Sequence, residues 1–254
     1  MFGLIPSISL PRGSITIPLL TISTTDAVNC IAFSPVGNRI VSGSSDKSVR
    51  VWDAKTGEQL SVLQGHTNVV SSVAFSPNGN RIVSGSNDKS VRVWDGSKGE
   101  QLRELRGHAK AVNSVAFSPD GNRIISGSDD RSVRVFEGKT GEQLMELQGH
   151  TTVVKSVAFS PDGNRIVSGS VDELRVWDAK MGDQLRLLQG HTYLVTSVAF
   201  SPDGNRIVSG SCDKSVRVWD ASADEQLRDP RGQTSEVTSF PFSPDSSRIS
   251  SSFD

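Results

Sequence analysis

Cysteine, histidine and tyrosine are scarce in this chain: its 254 residues hold two Cys, four His and one Tyr. Cys30 and Cys212 are too few to frame a disulfide-stapled fold. They suit a reducing compartment and read as small buried filler. A long apolar run is missing as well, so no membrane-spanning helix is expected. The apolar start is broken by Pro6, Pro11 and Pro18 and has no basic lead, unlike a secretory signal. An excess of one charge is also absent. With 27 basic and 28 acidic residues the formal charge is −1, which excludes the broad basic surface of a nucleic-acid or anionic-membrane binder. A cytoplasmic protein is expected, without nucleic acid or membrane as partner.

What the chain does have is repetition. Phe33, Phe75, Phe117, Phe159, Phe200 and Phe242 recur at steps of 42, 42, 42, 41 and 42. Full repeats are read at 24–65, 66–107, 108–149, 150–190 and 191–232, with a half repeat at 233–254. A period of about 40–45 residues points to a propeller array.

One unit, 108–149, shows what is built. Val112 to Phe117 is a short strand by its Val and Phe content. The following SPDGN is a tight turn, because Pro presets φ, Asp bonds its own backbone and Gly takes positive φ. Arg123 to Gly127, Ser132 to Phe136 and Glu142 to Leu147 read as three more strands. A lone four-stranded meander has two apolar faces and unpaired edges. Stacking copies face to face around an axis covers both faces.

GH, SPDG, SGSxD and WD recur at fixed spacing, with WD at Trp52-Asp53, Trp94-Asp95, Trp177-Asp178 and Trp219-Asp220. In these motifs the chain, from about residue 24 to 254, resembles the WD-repeat β-propeller family. The near-identity of the copies resembles the recently duplicated WD-repeat arrays of fungal proteins. The expected fold is all-β, a propeller of four-stranded antiparallel blades. Six blades are expected, the last closed by N-terminal strands within residues 1–23, where Ser14 to Ile22 stands in the place of a fourth strand. An incomplete ring, or an excerpt of a longer array, is the rival reading.

The resemblance also implies a hydrogen-bonded tetrad inside each blade. Its members would be His66, Ser84, Asp88 and Trp94; His150, Ser168, Asp172 and Trp177; and His191, Ser209, Asp213 and Trp219. Ser–His–Asp in series suggests a hydrolase, and four His suggest a metal. Copies spread around a ring cannot converge on one ion, and a triad in several equal copies marks structure. No catalysis, metal or cofactor is expected. The unit at 108–149 departs from the pattern, with Phe136 for Trp and Glu137 for Asp. Recurring arginines, such as Arg39, Arg81, Arg123, Arg165, Arg206 and Arg248, are balanced by acids and read as solvated or blade-edge packing groups.

The copies differ in three places: after His, early in the first strand, and before the Asp of SGSxD. In an up-and-down blade all three fall at one end. The expected function is therefore a protein-interaction scaffold, with Asn68, Lys110, Asn113, Asp129, Thr152, Lys155, Tyr193 and Thr196 meeting a protein partner. Tyr193, the one tyrosine, is the expected anchor. A carbohydrate-binding propeller is the alternative, though it would want an aromatic residue recurring at a surface position. A monomer is expected, with association through an open blade edge as the other outcome.

Overall fold

The computed structural model describes residues 20–222, 226–228, 237–239 and 252–253. Among them every regular element is a strand. The first blade is β1 (Val28–Phe33), β2 (Arg39–Ser44), β3 (Val49–Asp53) and β4 (Gln59–Leu63). The second is β5 (Val70–Phe75), β6 (Arg81–Ser86), β7 (Val91–Asp95) and β8 (Gln101–Leu105). The third is β9 (Val112–Phe117), β10 (Arg123–Ser128), β11 (Val133–Glu137) and β12 (Gln143–Leu147). Each is an antiparallel sheet in simple sequence order. The fold is that of a β-propeller.

The turn chemistry follows the sequence. In the SPDG turn Ser118 donates its N–H to the carbonyl of Arg123, and the Asp120 carboxylate accepts from the N–H of Asn122. Gly121 sits at φ +71°, where a side chain is strained.

Blades four and five depart from separate sheets. Their strands are β13 (Ser156–Phe159), β14 (Arg165–Gly169), β15 (Val171–Asp178), β16 (Gln184–Phe200), β17 (Arg206–Ser211), β18 (Val216–Asp220) and β19 (Gln226–Arg228). They form one seven-stranded sheet, because β16 is both the outer strand of the fourth blade and the inner strand of the fifth. The cause lies in the fourth repeat, which is one residue short. The other turns hold a left-handed residue, Lys47, Lys89, Arg131 or Lys214. The fourth repeat has none, so the chain stays extended from Val171 and pairs with Leu194.

The final unit is seen in β20 (Val237–Ser239) and β21 (Ser252–Phe253), which pair antiparallel. The closing strands expected in residues 1–23 lie outside the described residues up to residue 19, as does most of the half repeat at 233–254.

The core lies between blades. Val83, Val91, Val93 and Leu105 of the second blade meet Val112, Val115, Phe117, Ile124 and Phe136 of the third. The first strands pack on one another, β1 on β5 and β5 on β9. Of the two leucines in β12, Leu147 is buried and Leu144 is exposed at the rim.

Two devices lock neighbours together. A glycine in each second strand gives the next blade room. A Cβ on Gly127 would stand 2.7 Å from Cγ1 of Val154. An arginine at the start of each second strand then crosses over. Arg39 donates to the carbonyls of Gly79 (2.7 Å) and Gly96, and lies 5.3 Å from the Phe75 ring centroid. Arg81, Arg123 and Arg165 repeat this contact on Phe117, Phe159 and Phe200. Of the two expected roles, solvated or blade-edge, these arginines take the second, but their joint hold on two carbonyls and a ring was not foreseen.

Candidate functional site

In the second, fourth and fifth blades the internal polar chain starts from a tryptophan on the third strand. The indole N–H of Trp94 donates to Ser84 Oγ at 2.8 Å, and Ser84 Oγ meets His66 Nε2 at 2.7 Å. His66 Nδ1 lies 2.8 Å from Asp88 Oδ2. Asp88 also accepts from the N–H of Thr67 and from both the N–H and the hydroxyl of Ser90. Every donor in the series finds one acceptor. The direction of transfer is that of a Ser–His–Asp hydrolase, but Ser84 is fully buried. Its oxygen accepts the indole N–H and its proton faces His66, so no substrate carbonyl can approach. The chain ties the start of the first strand to the turn before the third. His191, Ser209, Asp213 and Trp219 repeat the arrangement.

Charge inside these chains is set by burial against hydrogen bonding. Burial raises the Asp88 and Asp130 carboxyls, yet the hydrogen bonds from His, Ser and backbone N–H hold both well below the usual range. In Asp213 the same opposition leaves it at about 2. Burial pushes His108 down, and pushes His150 down to about 4.

The fourth blade brings in an acid beyond the expected set. His150 and Ser168 meet at 2.7 Å and Trp177 donates to Ser168 at 2.8 Å. An acid at His150 Nδ1 is Glu173, at 3.1 Å, which the sequence reading did not name. The Asp172 side chain lies outside the described residues. With the turn one residue shorter, the longer glutamate reaches what an aspartate reaches elsewhere. Glu173 also accepts from Arg175 Nε. In Arg92 and Arg134 the equivalent atom is buried without a hydrogen-bond partner.

The third blade keeps His108, Ser126 and Asp130 but carries Phe136, so Ser126 receives no indole N–H. The first blade keeps the Trp52 to Ser42 bond at 2.8 Å. Its Asp46 pairs with Arg50, and Thr24 stands where later copies have His.

The variable positions do gather at one end of the blades. The N–H of Asn87, Asp129 and Cys212 bonds the carbonyl of Val69, Ala111 and Leu194 respectively, joining the turn to the entry of the first strand. The eight candidate contacts then divide. Asn68, Lys110 and Tyr193 are exposed, Tyr193 by 61%. Lys155 Nζ instead lies 3.0 Å from Asp129 Oδ1 and 3.1 Å from Asn113 Oδ1. Asn113 in turn donates to Asp129 and to the carbonyl of Val154. Thr152 meets Ser170, and Thr196 donates to the carbonyl of Gly210. Among the described residues no cluster of three or more His, Cys, Asp or Glu could hold a metal ion, and no helix is long and apolar enough to cross a membrane.

Comparison with known proteins agrees with this architecture. Residues 17–53, 57–95, 99–137, 141–178 and 182–220 each match the family described as "WD domain, G-beta repeat". Each match from the second onward runs from the outer strand of one blade to the third strand of the next. The chain is similar to the probable serine/threonine-protein kinase PkwA of Thermomonospora curvata, 42% identical over 63 residues, which is 25% of this chain and 8% of that protein. It is similar to the nuclear distribution protein nudF of Emericella nidulans, 43% identical over 61 residues, covering 24% of this chain and 13% of nudF. The nudF of Aspergillus flavus is 48% identical over 42 residues, covering 16% of this chain and 9% of nudF. The matched part is thus a small fraction of each relative's length.

Proposed function

The chain belongs to the WD-repeat family, and from that premise we propose that it is a non-catalytic scaffold that binds a protein partner on the variable end of its blades. Repeats of this family generally mediate protein–protein contacts. One observation carries the finer reading. The side chains that differ between near-identical copies stand together at one end, and the exposed ones include the one tyrosine. The SPDG turns at the opposite end are also exposed but barely vary. Aromatic anchors with a polar surround suit a protein partner. The contact set is Asn68, Lys110 and Tyr193. Asn113, Asp129, Lys155, Thr152 and Thr196 shape the floor beneath it.

The test is affinity enrichment with the wild type, with Tyr193→Ala plus Lys110→Glu, and with Lys139→Glu at the other end as control. A protein retained by the wild type and the control, but lost with the double variant, is the expected result. Equal retention by all three would sink the assignment of the face. Binding on a glycan array that needs Tyr193 would favour the carbohydrate reading.

A further inference from the structure

The seam between the second and third blades differs from the others at its rim. Ser61, Arg103, Met145 and Arg186 hold one register in the outer strands, opposite Val51, Val93, Val135 and Val176. The turn of the next blade faces them, and there Ser97, Lys139, Lys180 and Ser222 follow the residue whose carbonyl the arginine clasp takes. Among the described seams one alone sets two cations against each other, Arg103 and Lys139.

The stem of Arg103 lies on the facing turn, since a Cβ built on Gly141 would stand 3.7 Å from its Cδ. Its guanidinium does not cross. At the seam between the fourth and fifth blades Arg186 reaches the carbonyl of Ser222 on the next blade, whereas Arg103 donates at 2.6 Å to Leu102 of its own strand. The like charge of Lys139 opposes the crossing. A cavity of about 340 Å³ stays open, with Arg81, Arg103, Lys139 and Asn122 in its wall beside the apolar Val93 and Leu102.

The three cations are not neutralised. Among the described residues no ion pair reaches Arg81, Arg103 or Lys139, and the acids nearby are engaged elsewhere. Glu104 pairs with Arg92 and Arg106. The Glu137 carboxylate accepts the N–H of Lys139 and of Thr140, and Asp120 is held by Ser118 and Asn122. Arg81 gives one N–H to Gly138 and one to Gly121, which leaves three of a guanidinium's five donors.

We propose that this cavity binds a small organic phosphate monoester, its phosphate met by Arg103, Lys139 and the spare N–H groups of Arg81, and its apolar body resting on Val93 and Leu102. The monoester carries nearly two negative charges at neutral pH, which suits three unpaired cations. A guanidinium fork matches its oxygens. The volume is at the low end for small-ligand cavities. The site lies at the end opposite the proposed protein face, so it goes beyond that reading and either can fail without the other.

The experiment is calorimetric titration of the full chain with phenyl phosphate. The expected Kd is about 1 mM or tighter. Inorganic phosphate lacks the apolar body and benzoate lacks the second charge, so each should bind at least about tenfold more weakly. Arg103→Gln and Lys139→Gln should each weaken phenyl phosphate about tenfold or more with Tm unchanged, and Lys180→Gln, at the same turn position of the next blade, should leave its affinity as it was. A short phosphotyrosine peptide should bind more weakly than phenyl phosphate. No binding of phenyl phosphate overturns the proposal, and so does equal affinity for inorganic phosphate or benzoate. Affinity that survives both Arg103→Gln and Lys139→Gln, or that falls equally in Lys180→Gln, overturns it as well. Tighter binding of the peptide overturns the free ester and gives the site to a phosphorylated chain.

Discussion

Phe136→Trp is expected to stabilise the protein. Phe136 is 1% exposed and packs where Trp52, Trp94, Trp177 and Trp219 stand in the other blades. Each of those indoles donates to a serine at 2.8 Å. Ser126 is already placed, held by His108 Nε2 at 2.7 Å. The prediction also requires room for the second ring beside Gly107: the outer carbon of Trp94 lies 3.2 Å from a Cβ built on Gly65, and that of Trp177 lies 3.2 Å from one built on Gly149. The new hydrogen bond contributes about 1 kcal/mol. The added ring area contributes roughly 1 kcal/mol more. Together they raise Tm by about 4 °C or more for a domain of this size. Calorimetry of Phe136→Trp reads the whole gain. The same change made in a Ser126→Ala background should return about half of it. A Tm that is unchanged or lower, with the fold intact, would refute either the assignment of Ser126 as an unfilled acceptor or the room required beside Gly107.

Other outcomes follow from the same contacts. Gly127→Ala should lower stability by about 1–3 kcal/mol, because the new methyl meets Val154 and neither backbone can retreat. Chemical denaturation would show it as a lower midpoint, and an unchanged midpoint would mean the blades are less tightly set than described. Stability should fall as pH drops from about 6.5 toward 4. Burial holds the folded pKa of His150 at about 4 and lowers that of His108, so the unfolded chain takes up protons first. His150→Asn should flatten that part of the curve. A second loss should follow below about pH 4, where the unfolded chain protonates carboxylates while Asp213 stays ionised down to about 2. A curve flat down to pH 4 would contradict buried neutral histidines.

Much of the fold was legible because each strand and turn is written five times. Apolar alternation in VRVW, the proline and glycine of SPDG, and the period itself all point to one blade shape. Two features escaped that reading. The fusion of the fourth and fifth blades depends on one deleted residue, whose effect is felt across the sheet at Leu194. The deletion was visible, but not that β16 would run on through Gln184–Phe200. The arginine clasp joins residues 36 apart on different blades, as Arg39 and Phe75, so no local pattern shows it. A signal did exist, since arginine and phenylalanine recur with the same step.

The variable residues show why divergence between copies is not the same as a binding surface. Lys155 is a lysine where the neighbouring copies have Asn, Ser or Thr. Its ammonium is met by Asp129 and Asn113 of the blade before, both also at variable positions. Change at one position therefore has a local cause in change at another, across a seam, with no partner involved. Lys155→Ala would leave Asp129 with Asn113 alone. The side chains of the ion pair are 32% and 31% exposed, so removing it should cost under about 1 kcal/mol. A partner that reads only the exposed set should bind this variant as it binds the wild type. Tight dependence on Lys155, measured by titration against a retained partner, would move the contact surface inward to the floor formed by Asn113, Asp129 and Lys155.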